Sequence, residues 1–429
     1  MKRARLLVLA STVSMLGWGS ILPYQYAYAA NTRDWGGLVA AGAASLFSIG
    51  ALAAAPIGGR LADRFDPARV AVIAKVVAAA ATAFLIVAGT PALFLAGMFV
   101  FGAGITAAQP AQTILVLRWV GAEDRRRVFA LLFTGAAVGM AIGAFTAGYL
   151  VDLTAIDGMW PAFATAALGF LISAGLISIA GRGAPADEVP TPEDAPGAST
   201  GSAIRVILGT PALRWTAVIT VTLALGFYAQ FESGLPAYAI TVLGLPARTI
   251  GTASAVNCLV IVVLQMAVVK WTAKRSAPSL LVAVGSIWVL SWLLLAASSV
   301  VPALAGTMFV VVFGVFAVGE TMYAPVLNPL TASLAPSGMV GTTLGIFAAL
   351  QTGVSAAGPM LAGVALSAGR GSLFVGVHVG ISLVAVFAAL RLRSLLAGSR
   401  ASQPSAIPAT FEELVAPAGT GDLRVPHLA

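Results

Sequence analysis

Runs of about 20 mostly apolar residues, each long enough to cross a bilayer as a helix, follow one another along nearly the whole chain, separated by short polar or Gly/Pro-marked turns. Twelve such runs fall at 6–30, 36–58, 68–89, 92–118, 128–152, 159–180, 213–240, 248–270, 277–298, 301–328, 339–367 and 371–393. Two of the divisions, at Gly89-Thr90-Pro91 and from Ser298 to Pro302, rest on Gly, Pro and Ser alone. The pattern predicts an all-α polytopic membrane protein with twelve transmembrane helices.

Composition excludes the alternatives. Of 429 residues, 59% are hydrophobic and 9% charged, with a mean hydropathy of +0.96, against about 25% charged residues in a typical soluble domain. A soluble enzyme, a disordered chain and a nucleic-acid binder all need more polar surface than this. The net charge of +8 is read as basic loops facing anionic lipid, with no nucleic-acid partner. Cys258 is the single cysteine, so no internal disulfide can form. His378 and His427 are too few for a His-based metal site or a His-based triad, and no phosphate-binding loop is present. Neither metal, cofactor nor enzyme activity is expected.

Charge position sets the orientation. With both termini cytoplasmic, all of the 24 Lys and Arg except Arg33, Arg248 and Arg370 fall in cytoplasmic segments, Lys75 being counted in the loop with Arg60, Arg64 and Arg69. On that assignment no Lys or Arg lies in a helix core. Lys2 to Arg5 followed by an apolar run mimics a cleavable signal, but Pro23, Tyr24, Gln25, Tyr26 and Tyr28 make a poor cleavage region, so the segment is read as an integral helix of an inner (plasma) membrane protein.

The two halves resemble each other. Ser20 to Pro23 matches Ser233 to Pro236, Gly104 to Pro110 matches Gly319 to Pro325, and Gly143 to Gly148 matches Gly358 to Gly363, all at nearly one offset. Ala62-Asp63-Arg64 falls near Ala273-Lys274-Arg275 at almost the same spacing. A duplicated six-helix unit follows: a bundle over 1–180, a cytoplasmic linker over 181–212, a second bundle over 213–397 and a tail over 398–429. Linker and tail are rich in Pro, Gly, Ser and Ala, which leaves them little to bury.

These features, with Gly58-Gly59-Arg60-Leu61-Ala62-Asp63-Arg64-Phe65 continuing to Arg69, resemble the major facilitator superfamily of secondary transporters and its G-x-L-x-D-R loop signature. Asp66 stands where that pattern has a glycine. The resemblance implies a gate built on Gly59, Asp63, Arg64 and Arg69: Gly59 allows close chain approach, and Asp63 meets the N-terminus of the eleventh helix, where the dipole favours an anion. The segments "GFYAQFESGLPAY", "AVNCLVIVVLQ" and "GETMYAPV" are similar to the drug:proton antiporter branch of multidrug-resistance type. Met98, where proton-coupled members carry an arginine, and Gly143-Ala144, where antiporters carry Gly-Pro, depart from it.

A charge in the bilayer costs about 2.5–3.5 kcal/mol on insertion scales, so an ionisable group kept there is a functional candidate. Glu232 on the seventh helix and Glu320 on the tenth are the two, each read as a proton carrier or as a neutral carboxyl bonded across helices. Asp152 and Asp157 belong to an outer loop, and Asp34 is read as an outer helix cap. Helical spacing pairs Tyr24 with Tyr28 beside Gln25, Gln109 with Gln112, Tyr228 with Glu232 near Gln230, and Glu320 with Tyr323. The superfamily lines its cavity with the first, fourth, seventh and tenth helices, which implies that Tyr24, Gln25, Gln109, Gln112, Tyr228, Gln230, Glu232, Glu320 and Tyr323 contact substrate. Tyr26, Tyr28 and Tyr238 are alternatively interfacial belt residues. Asn257, Gln265, Gln351, Trp288 and Trp292 are read as helix–helix contacts, and the glycines of the fifth and eleventh helices as close-packing seams.

The function so implied is a monomeric secondary exporter of small amphipathic molecules or drugs, by proton antiport with alternating access. Uptake of a sugar or another metabolite by symport or facilitated diffusion is the alternative, and a non-transporting membrane sensor the second.

Overall fold

Among the described residues, twelve helices are long and apolar enough to cross a membrane and no strand forms. The computed structural model describes residues 2–182, 200–231, 233–272, 274–336 and 340–402; Glu232, most of the linker and the tail from 403 lie outside it.

The first half consists of α1 (Lys2–Ala27), prolonged by a π-helical turn over Tyr28–Thr32, then α2 (Gly37–Arg64), α3 (Pro67–Val87), α4 (Pro91–Trp119), α5 (Ala122–Leu150) and α6 (Trp160–Gly181). The Gly-Thr-Pro division is a true helix start: the Thr90 side chain accepts from Leu93 N, and Pro91, whose missing N–H loses nothing there, opens α4. Asp66 caps α3 in the same way, accepting from Ala68 N ahead of Pro67 and standing 3.8 Å from Arg69 Nε. The Asp152 carboxylate, in the loop after α5, accepts from both the backbone and the hydroxyl of Thr154, which holds its pKa below the usual carboxylate range.

Within the stretch expected to be an unstructured linker, α7 (Thr200–Gly209) is helical, with Ile207 buried against Leu213 and Phe347. The seventh span is broken into α8 (Pro211–Leu223), a π-helical turn (Ala224–Tyr228), α9 (Ala229–Phe231) and α10 (Gly234–Thr241). Continuing are α11 (Ala247–Thr272), α12 (Ala277–Ser298), α13 (Ala305–Leu334), α14 (Val340–Ser367) and α15 (Gly371–Ser402).

Helix pairing repeats between the halves. In the first, α2 packs on α4, α3 on α4 and α6, and α1 on α6; in the second, α11 packs on α13, α12 on α13 and α15, and α8 on α15. Across the halves, α2 meets α14 and α5 meets α11. The architecture is two pseudo-symmetric six-helix bundles facing each other.

Three expectations change here. The segment expected as a loop from Gly58 to Arg64 is instead the last turns of α2, and the turn to α3 is only Phe65-Asp66. Asp34 caps nothing: it sits at φ 52° in the turn before α2, whose N-cap is Gly36 at φ 81°. Lys75, expected in a basic loop, lies deep in α3 because the cap at Asp66 starts that helix nine residues earlier.

Candidate functional site

The halves touch on the side where Arg33, Arg248 and Arg370 lie. A Cβ at Gly251 of α11 would stand 2.5 Å from Ala144 O of α5 and 2.6 Å from the Tyr24 hydroxyl. Gly148 faces Arg248 and Ala247 in the same way, and Gly363 of α14 rests on Ala41 and Gly37 of α2. Only residues without a Cβ allow backbones this close. On the opposite side, a Cβ at Gly59, Gly345 or Gly353 would meet nothing described within 4 Å.

Behind the closed side lie two voids. One, of about 10 Å³, has room for roughly a single water and is enclosed by Trp18, Met140, Ala144, Phe231, Ser254 and Cys258. The other, of about 270 Å³, lies between the bundles and is lined from α1 by Met15 and Trp18, from α2 by Phe47, Ser48 and Ala51, and from α4 by Ile105, Thr106 and Gln109. Tyr228 and, from α14, Gln351, Thr352 and Ser355 complete it. Among the described residues no charged side chain lines this larger cavity, and Trp18, which faces both voids, keeps its Nε1 buried without a hydrogen-bond partner.

Glu320 of α13 is half-buried, with the polar side chains of Tyr228 and Asn257 as neighbours. Asn257 donates through Nδ2 to Phe313 O at 3.2 Å, which ties α11 to α13. Aromatic rings pack around Tyr228: it lies 5.3 Å from Tyr323 and 6.3 Å from Trp288, centroid to centroid. Trp288 Nε1 donates to Phe316 O, and Trp292 Nε1 donates to the Gly226 carbonyl in the π turn.

Only some of the residues expected to meet substrate come together here. Gln109 and Tyr228 line the cavity and Glu320 adjoins it. Gln112 lies one turn along and keeps Nε2 buried without a partner. Tyr24 is instead buried in the closed seam, its hydroxyl donating to Ala144 O. Gln25 is buried too, with both amide atoms unpaired. Gln230 donates to Gly358 O and so binds the seventh span to α14. Tyr228 neighbours Glu320; Glu232, and with it the expected pairing of Tyr228 with Glu232, lies outside the described residues. Tyr323 is buried in the ring cluster with its hydroxyl unpaired. Tyr26, Tyr28 and Tyr238 are 1–2% exposed, which removes them from any lipid-headgroup belt.

Six cavity positions, Phe47, Ser48 and Ala51 of α2 and Gln351, Thr352 and Ser355 of α14, belong to helices outside the expected lining set. Gln351 was read as a helix–helix contact; its polarity inside an apolar run was the available signal. Gln265, by contrast, does bond across helices, to Thr321 O.

Among the expected gate residues, Gly58 rather than Gly59 makes the close approach, to Ala107 of α4. Arg64 and Arg69 are exposed, whereas the side chain of Asp63 and the residues 337–339 expected to receive it lie outside the described set. Lys75 is 1% exposed, with Nζ 2.7 Å from Ser14 Oγ and 5.7 Å from the Phe170 ring centre. A lysine therefore does lie in a helix core, but inside the first bundle and not on the cavity wall.

A twelve-helix membrane protein with paired bundles around a central cavity is a transporter architecture, not that of an enzyme. Residues 7–359 match the Major Facilitator Superfamily, and the chain belongs to that family. No curated protein matches the chain. Solved structures of similar fold include a bacterial homolog of the human lysosomal transporter Spinster in an inward-facing, unoccupied conformation, at 14% identity over 92% of this chain and 97% of that one, TM-score 0.69. The nucleoside transporter NupG aligns at 13% identity over 92% and 99%, TM-score 0.70, and a peptide transporter POT in complex with sulfate at 16% over 92% and 94%, TM-score 0.70. At such identities they share the fold alone.

Proposed function

We propose that this family member is a secondary active exporter of small amphipathic organic molecules, working as a monomer by proton antiport in a plasma (inner) membrane with both termini cytoplasmic. The basic residues on the terminal side favour that orientation, so the conformation described is inward-facing, sealed at the outer seam. Glu320 carries the reading: a carboxyl group inside a membrane helix, neighbouring Tyr228 of an aromatic and amide-lined cavity, can bind a proton on one side and release it on the other. Glu232 is the second proposed proton carrier. Tyr228, Gln109, Trp18 and Gln351 form the proposed substrate wall, with Tyr24, Gln25, Gln112, Gln230 and Tyr323 behind it. Gly59, Asp63, Arg64 and Arg69 remain the proposed gate at the inner side.

Ethidium efflux from cells expressing the wild type, Glu320→Gln and Glu232→Gln, with and without a protonophore, tests this. Wild-type efflux should collapse with the protonophore, and Glu320→Gln should lower it by about tenfold or more, the scale of a lost charged hydrogen-bonding group. Efflux indifferent to both would overturn the antiport reading. A second reading, uptake of a neutral polar solute such as a sugar, is favoured by the hydroxyls and amides of Ser48, Thr106, Gln109, Gln351, Thr352 and Ser355 in the same wall. Accumulation of a labelled sugar in place of dye efflux would select it.

A further inference from the structure

Three side-chain amides of the second bundle are spent on the protein itself. Gln230 donates to Gly358 O, Gln265 to Thr321 O and Asn257 to Phe313 O, each a bond between helices. Gln109 of α4 and Gln351 of α14 make no such bond among the described residues, and both line the cavity of about 270 Å³, one from each bundle. Gln109 is exposed and Gln351 half-buried, so both amides open onto that space, whereas Gln112 keeps its Nε2 buried. A free primary amide offers an N–H donor and a carbonyl acceptor along one edge, and it pairs with a ligand that carries the same two groups in the opposite order. Part of the same wall is flat and apolar: Trp18 and Phe47 stack with centroids 6.1 Å apart and planes 19° apart, beside Met15. Among the described residues no charged side chain lines the cavity, so an ionised carboxylate would find no counter-charge there. The volume lies just below the range of about 300–1,000 Å³ that holds drug-sized ligands, which leaves room for a small ring system.

We propose that Gln109 and Gln351 form a two-sided clamp for a donor-plus-acceptor edge, and that the class of molecule carried is a small flat aromatic carboxamide or lactam without a negative charge. The ring lies along Trp18 and Phe47, where offset stacking is available. The amide edge of the ligand pairs with one glutamine, and its remaining N–H or carbonyl lone pair meets the other. Because the glutamines belong to different bundles, a ligand held by both joins α4 to α14 across the cavity. This rests on the transport reading above and names the substrate class of that same cavity.

Equilibrium dialysis of the purified full chain in detergent, against three probes of one ring size, tests the clamp. Naphthalene carboxamide carries donor and acceptor, methyl naphthyl ketone the acceptor alone, and naphthoate a negative charge. The wild type should bind the carboxamide about tenfold or more tighter than the ketone, the scale of an added neutral hydrogen bond, and naphthoate most weakly. Gln109→Leu and Gln351→Leu should each weaken the carboxamide about threefold or more, with a smaller effect on the ketone, while Trp18→Leu should weaken both alike. Equal wild-type affinity for carboxamide and ketone, tightest binding of naphthoate, or no saturable binding of any probe overturns the proposal. So does a preference that survives either leucine variant, and so does an equal loss of both probes in one, which marks that glutamine as packing. Carboxamide-selective binding alongside ethidium efflux indifferent to a protonophore would leave the clamp standing and overturn the antiport reading instead.

Discussion

The two bundles share one helix-pairing scheme but are cemented differently. In the first, glycines carry the packing: a Cβ at Gly139 or Gly143 of α5 would collide with the backbone carbonyls of Thr12 or Leu16 in α1, and Gly50 and Gly102 lock α2 to α4 in the same manner. The second bundle is held by rings and indoles, with Phe227 and Phe316 centroids 4.7 Å apart and Trp288 and Trp292 donating to carbonyls on neighbouring helices. Its polar exceptions differ as well. The first bundle buries a lysine, Lys75, on a serine and a ring face, whereas the second holds a carboxyl group, Glu320, next to Tyr228 of the cavity wall. Backbone-to-backbone contacts make a rigid frame, because nothing in them can rotate. Large side chains leave room for rotamer and register change, and the π turn of the seventh span lies among them. Glu320, the proposed proton carrier, thus belongs to the bundle that can adjust.

The sharpest break of this comparison is a methyl group at equivalent seams. Gly139→Ala should destabilise the purified protein by about 1–3 kcal/mol or prevent folding, since overpacking against a carbonyl outweighs the helix propensity gained. Gly353→Ala, whose Cβ meets nothing described, should be neutral or stabilising by about 0.5 kcal/mol. Thermal unfolding followed by size-exclusion recovery measures both, and equal losses at the two sites would show that glycine packing does not distinguish the bundles.

Next in size is the buried cation. Ser14→Ala removes the one hydroxyl on Lys75 and should cost about 1–3 kcal/mol, the price of an unsatisfied buried donor. Lys75→Met combined with Ser14→Ala should recover most of that loss, because both polar partners then vanish together. A double variant no better than Ser14→Ala alone would mean that the ammonium does more than sit in the frame.

The smallest effect is expected where a glycine lies between bundles rather than within one. Gly251→Ala crowds Ala144 and Tyr24, and the halves can relieve that by parting. A bias of about 1–2 kcal/mol toward a state open at this seam should raise maleimide labelling of Cys258 in the adjacent chamber roughly tenfold at fixed pH. Unchanged labelling with lowered thermal stability would place this contact with the rigid seams instead.

How far these features were legible differs residue by residue. Glu320 stood out because a carboxylate in an apolar run is conspicuous anywhere. Its neighbour Tyr228 did not, because spacing along one helix carries no sign of a meeting between two helices. Lys75 was drawn into the loop by Arg60, Arg64 and Arg69, although the Asp66-Pro67 start places it about 12 Å along α3 at the usual helical rise. Gly345 and Gly353 looked like the glycines of α5 in sequence, yet only Gly358 and Gly363 of α14 meet a neighbour closely.

By itself the sequence determined the number of membrane helices, the duplication and the side on which the basic residues gather. Each of those depends on local length, hydropathy and charge, which a bilayer reads segment by segment. Tertiary structure decided which polar groups meet: Asn257 on the Phe313 carbonyl, Ser14 under Lys75, and Gln351 facing Gln109 across the cavity. Those meetings depend on how each helix is rotated about its axis and which backbone it can approach, and that is set by packing between segments distant in the chain.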